Sequence, residues 1–112
     1  LSSPHHIYYP LRWISILSGT IECDLAASTG VHDGRAVVKQ LLAGASTVQV
    51  CSVLFQKGMG EIRKMLDELG RWMEAHKFAS VADFRGKLSQ AESEDPEAYE
   101  RLQYIKALTG IN

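Results

Sequence analysis

Apolar positions along this chain follow two periods. Leu11, Trp13, Ile14 and Leu17 recur at helical spacing after Pro10, and Gly19 follows them. The spacing predicts a short amphipathic helix over 10–18 with Pro10 at its first position, where a missing N–H costs little. Residues 1–9 read as irregular. Over 20–27 the period changes to two, with Ile21, Cys23 and Leu25 alternating with Glu22 and Asp24, as in a strand. Ser28, Thr29 and Gly30 break that run. Asp33 is placed to cap a helix whose apolar face is Val37, Val38, Leu41 and Leu42 and which stops at Gly44. Residues 47–55 carry Val48, Val50, Val53 and Leu54. This near-continuous apolar run suits a strand covered on both faces, with its carboxyl end at Cys51 and Ser52.

The strongest helix pattern spans 61–76. Ile62, Met65, Leu66, Leu69, Trp72, Met73 and His76 step by three and four, which predicts a core-facing stripe. A short helix is expected near 80–83, broken by Gly86, and 89–95 reads as a polar linker. Pro96 then opens a last helix, with Tyr99, Leu102, Ile105 and Leu108 on one side. The expected division is a body over 1–88 and a linker with a terminal helix over 89–112.

A strand–helix–strand unit of this length implies two parallel strands joined by a crossover helix. Two strands do not complete a sheet, so the fold class expected is α/β, as part of a larger parallel body. A full eight-stranded (β/α) barrel takes about 250 residues, and this chain has the length of its last third.

Composition narrows the function. Twelve Lys and Arg stand against 13 Asp and Glu, a formal net charge of −1. That balance gives no electrostatic reason to expect nucleic acid or a membrane surface as partner. No apolar run approaches the ~20 residues that span a bilayer. Cys23 and Cys51 make no disulfide framework and are expected as small buried thiols in a reducing, cytoplasmic setting. Parallel neighbouring strands would also hold them too far apart to bond. The four histidines show no metal-ligand spacing.

In parallel α/β proteins ligands bind at the carboxyl ends of the strands. Here those ends are Ser28, Thr29 and Gly30 on one side and Cys51 and Ser52 on the other. Small residues there let a ligand approach backbone amides, which suits a phosphate. Gly30→Glu is expected to crowd such a phosphate. Glu22 and Asp24 are candidate acids that read as solvent-facing. The chain carries no dinucleotide fingerprint, Walker loop or hydrolase elbow.

The segment Gly44-Ala45-Ser46-Thr47-Val48-Gln49-Val50-Cys51-Ser52 resembles the last-strand motif of the dihydroorotate dehydrogenases, approximately Gly-Ala-Ser-x-Val-Gln-Ile-Gly-Thr. Asp83-Phe84-Arg85-Gly86-Lys87-Leu88 is similar to a segment that follows the last barrel helix in soluble members. Ser28-Thr29-Gly30-Val31 takes the place of that family's Thr-Gly-Gly-Val. The resemblance implies the last two strand–helix units of a TIM (β/α)8 barrel that binds FMN and oxidises dihydroorotate to orotate. It implies Ser28, Thr29, Gly30, Cys51 and Ser52 at the flavin phosphate. Thr29 and Cys51 stand where the family has glycine. The family's catalytic base and orotate ligands map to no residue here, so the chain by itself is expected to be inactive. Association with the rest of the barrel or with copies of itself is expected. The competing readings are another FMN or phosphate-binding barrel enzyme and a non-enzymatic α/β interaction module.

Overall fold

The computed structural model describes residues 1–93 of the chain. The expected terminal helix from Pro96 lies outside the described residues. Pro4–Ile7 forms a 3-10 turn behind Ser3, and it runs directly into α1, Tyr8–Leu17. The helical segment therefore starts before residue 10, and 4–9 are not irregular. Pro10 falls within the first turn of α1, where its missing N–H is still tolerated. Ile14 of α1 is buried, whereas Trp13 lies exposed beneath the Arg12 guanidinium, 4.7 Å from the ring centre.

The strand expected over 20–27 is much shorter. Backbone amides of Thr20 and Ile21 both bond to the Leu17 carbonyl, so this stretch is a turn that closes α1. Only Ala26–Ala27 is extended and paired, as β1. Ile21, Glu22, Cys23 and Asp24 are all exposed. Alternation alone does not make a strand; a partner must accept its hydrogen bonds. Here the partner is β2, Thr47–Val48, which runs parallel with Ala26 opposite Thr47 and Ala27 opposite Val48. Ser46 and Gln49 amides extend the ladder to the Leu25 and Ala27 carbonyls. Among the described residues this two-stranded sheet leaves both outer edges unpaired.

The helix α2, Gly34–Ala43, joins the strands as expected. Asp33 caps it, its carboxylate accepting from the Ala36 amide at 2.8 Å. Gly44 ends it, its amide bonding to the Gln40 and Leu41 carbonyls.

Residues 52–55 are helical, not extended. After β2 the chain crosses a three-residue loop and enters α3, Ser52–Lys57. Val50, Val53 and Leu54 have the spacing i, i+3, i+4, and a short apolar run does not by itself separate buried strand from buried helix. Val53 is fully buried, worth about 1.5–3 kcal/mol relative to exposure. The helix α4 follows over Gly60–Ala75. Of its expected core stripe only Met65 is buried; Leu69, Trp72 and Met73 are half-buried, and Ile62 and Leu66 are exposed.

Two apolar clusters meet across Val48. Ile7, Val31, Ala36, Val53 and Met65 form one, between the first turn, α2, α3 and α4. Ile14, Ala27, Ala43 and Ala45 form the other, beneath α1. Short 3-10 turns at Val81–Asp83 and Gln90–Glu92 follow α4. The architecture is α/β, with helices packed about a small parallel sheet.

Candidate functional site

The loops that follow β1 and β2 face one another across an open cleft of about 560 Å³. Ser28, Thr29, Gly30, Cys51 and Ser52 all line it, so the structure brings together the five residues singled out in the sequence. Parallel pairing explains why. Both strands run the same way, and both loops leave the sheet at the same end.

Each loop is held differently. Thr29 and Gly30 both adopt left-handed backbone, with φ of 81° and 79°. A β-branched residue rarely does so, and such strain costs on the order of 1–3 kcal/mol. Gly30 is fixed by contact as well as by conformation. A Cβ there would run into the backbone of His6 and Ile7. Its α-carbon therefore faces the 3-10 turn, not the cleft, and the expected crowding of a phosphate by Gly30→Glu is corrected: that change would displace the turn first. Thr29→Gly removes the strain at the cost of some backbone entropy. We expect it to raise stability by about 1 kcal/mol, read from the urea midpoint with an unchanged m-value.

Cys51 is exposed at the cleft, and Cys23 is exposed in the turn after α1. The expectation of two buried thiols is therefore wrong for both. The runs that carry them are a loop and a turn rather than the interior of strands. Both thiols are free. Glu22 and Asp24 are exposed and away from the cleft lining.

Two residues that pattern did not mark complete the site. The Ser2 amide donates to Ser52 Oγ at 2.7 Å, and the Ser2 hydroxyl donates to the same oxygen at 3.2 Å. Ser2 Oγ in turn accepts from the Gly30 amide at 3.3 Å and lies 3.2 Å from His32 Nε2. A hydroxyl has two acceptor lone pairs and one proton. Ser52 thus has both lone pairs engaged and its proton free to donate. One oxygen atom, Ser2 Oγ, gathers the Gly30 amide, the Ser52 hydroxyl and a histidine nitrogen. These contacts join residues 28–50 positions apart, so no local spacing announces them.

Among the described residues, the cleft lining contains no Lys, Arg, Asp or Glu. Its polarity comes from amides and hydroxyls, which suit an oxyanion that is bound by oriented dipoles rather than by a counter-charge. Among the described residues, no three His, Cys, Asp or Glu side chains converge as a metal site. No helix there is long and apolar enough to cross a membrane.

No protein-family model matches the chain. Over 69 residues it is 35% identical to a probable dihydroorotate dehydrogenase A (fumarate) of Enterococcus faecalis, covering 62% of this chain and 22% of that protein. It is 32% identical over 68 residues to the dihydroorotate dehydrogenase (fumarate) of Saccharomyces bayanus, covering 61% of this chain and 22% of that protein. The chloroplastic dihydropyrimidine dehydrogenase (NADP(+)) of Arabidopsis thaliana matches at 34% over 62 residues, 55% of this chain and 15% of that protein. The chain spans 15–22% of the length of these relatives and resembles one part of a dihydroorotate dehydrogenase.

Proposed function

We propose that this chain forms the phosphate-binding end of an FMN-dependent, barrel-shaped oxidoreductase acting on the ring of a dihydropyrimidine, with dihydroorotate as the first candidate substrate. The observation that carries this reading is the convergence of the Gly30 amide, the Ser52 hydroxyl and the Ser28–Thr29 loop on one cleft beyond two parallel strands. Ser2 Oγ lies within hydrogen-bond distance of Gly30 N and Ser52 Oγ, so these two groups are spaced to meet a single oxygen. A phosphate oxygen makes the same demand. The donor set of amides and hydroxyls fits the group, as does the small-residue lining.

The names of the relatives also share one ring chemistry, because dihydroorotate is a dihydropyrimidine bearing a carboxylate. FMN, when bound, would supply the hydride acceptor for such a ring, and the accompanying proton would pass to a base that the resemblance assigns to no residue of this chain. The residues here hold and orient the phosphate. The unpaired outer edges of β1 and β2 would join further strands of a (β/α)8 barrel. Exposed Phe55, Met59 and Leu66 would meet the rest of that body or a second copy. The enzyme would act in the cytoplasm on a small molecule, with no nucleic-acid or membrane partner.

The test is flavin binding and turnover in the intact protein. It should carry FMN, and anaerobic dihydroorotate should bleach the flavin absorbance. Ser52→Ala should weaken FMN binding about tenfold, or about 1.4 kcal/mol, measured where the variant is fully folded, because the change also removes the acceptor of the Ser2 amide and hydroxyl and so lowers the unfolding midpoint. An intact protein without flavin, or a Ser52→Ala variant that binds FMN as tightly as its parent, would overturn the assignment.

A further inference from the structure

A second cleft, of about 390 Å³, lies on the other side of Gly30, between the Pro4–Ile7 turn and the start of α2. It shares no other lining residue with the first cleft. Its walls are cationic. Arg35 and Lys39 stand four residues apart on α2 and so share one face of that helix. His5 and His32 line the cleft from the turn and from the loop before α2. Among the described residues, neither Arg35 nor Lys39 has an ion-pair partner. Among the described residues Asp33 is the one lining carboxylate, and its Oδ1 accepts from the Ala36 amide. Two full positive charges therefore stand against one carboxylate in this lining, in a chain whose net charge is −1. Below this polar rim lie Ile7 and Ala36, both buried and both in the apolar core.

We infer that this cleft is a binding site for a small organic phosphate, distinct from the flavin phosphate cleft. A guanidinium presents a planar fork of donors that matches two oxygens of a phosphate, and the neighbouring ammonium adds a mobile charge. His5, on the facing turn, can turn a ring N–H to the ligand, whereas His32 Nε2 is already engaged with Ser2 Oγ. The apolar floor favours a ligand with a hydrophobic body over the bare ion. The site does not rest on the proposed flavin chemistry, because its two cationic side chains, Arg35 and Lys39, line the second cleft and not the first.

Isothermal titration of phenyl phosphate into the intact protein tests the inference, with inorganic phosphate as the comparison. Saturable binding of phenyl phosphate is expected, tighter than that of inorganic phosphate. The double variant Arg35→Gln with Lys39→Gln should weaken it at least tenfold, whereas Cys51→Asp, a new negative charge confined to the first cleft, should leave it unchanged. Both replaced side chains are exposed, so the fold should be retained, and matching far-UV circular dichroism would verify this. Absence of saturable binding would overturn the inference. So would equal affinity for the two probes, equal affinity in the double variant, or loss of binding in Cys51→Asp.

Discussion

Gly30→Ala should destabilise the protein by about 3 kcal/mol, the sum of backbone strain and a steric clash of comparable size. Its φ of 79° is unfavourable for any residue with a Cβ. The new methyl would also meet the main chain of His6 and Ile7, which cannot rotate away as a side chain would. Ile7 is buried beside Val31 and Val53, so moving the turn opens the larger apolar cluster. Gly58 provides an internal control. Its φ is 89°, but nothing lies within 4 Å of where its Cβ would be. Gly58→Ala should therefore show the strain alone. The difference between the two urea midpoints then measures the contact with the 3-10 turn. Equal losses in both variants would mean that the turn does not press on the loop.

That contact shows where sequence reasoning reached its limit. The helices α2 and α4 were legible because a cap, a stop and a 3.6-residue period are all local signals. The strands were not, since a strand exists through its partner. Ile21, Cys23 and Leu25 alternate as a strand does, yet among the described residues only Leu25, at the end of the run, meets a partner strand. Val53 looked like strand interior and is helix interior, because a valine run serves either. The two loops of the site were legible because small residues at the ends of parallel strands carry meaning wherever the fold is α/β. Ser2 and His32 were not. Ser2 lies in a stretch without period, and its bonds reach across the fold to Gly30 and Ser52. The cationic cleft escaped for the same reason, as His5 joins Arg35 and Lys39 only once the turn folds against α2.

The segment 83–88 was visible only as a resemblance, and its packing gives that resemblance a physical cause. Phe84 is fully buried, its ring 4.8 Å from Trp72 in an edge-on contact and 5.3 Å from Phe78. With Phe84 seated, the next residues reach back to the end of α2. The Gly86 and Leu88 amides donate to the Leu41 and Leu42 carbonyls, both at 2.9 Å. The Leu42 carbonyl is one that a helix terminus otherwise leaves without a partner, and the Leu41 carbonyl accepts from the Gly44 amide as well. Arg85 donates from Nε to the Ala45 carbonyl at 3.1 Å and from Nη2 to the Ser46 carbonyl at 3.3 Å. Residues 45 and 46 lead directly into β2, and β2 leads to Cys51 and Ser52. The segment is thus a clasp that holds the second loop of the site in place from behind.

Phe84→Ala should accordingly cost about 3–5 kcal/mol, the usual range for emptying a buried aromatic position. The loss should also travel. Without the ring as anchor, the amides of Gly86 and Leu88 and the Arg85 fork lose their fixed geometry, and FMN binding should weaken although residue 84 lies outside the cleft. Arg85→Ala separates the two effects. It removes the hydrogen bonds to Ala45 and Ser46 but leaves the aromatic cluster intact, so stability should fall by only about 1–3 kcal/mol. If the clasp orients β2, Arg85→Ala should still weaken FMN binding measurably at a temperature where the protein remains fully folded. Parental flavin affinity in folded Arg85→Ala would show that Phe84 acts on stability alone and that the second loop holds its shape without support from this segment.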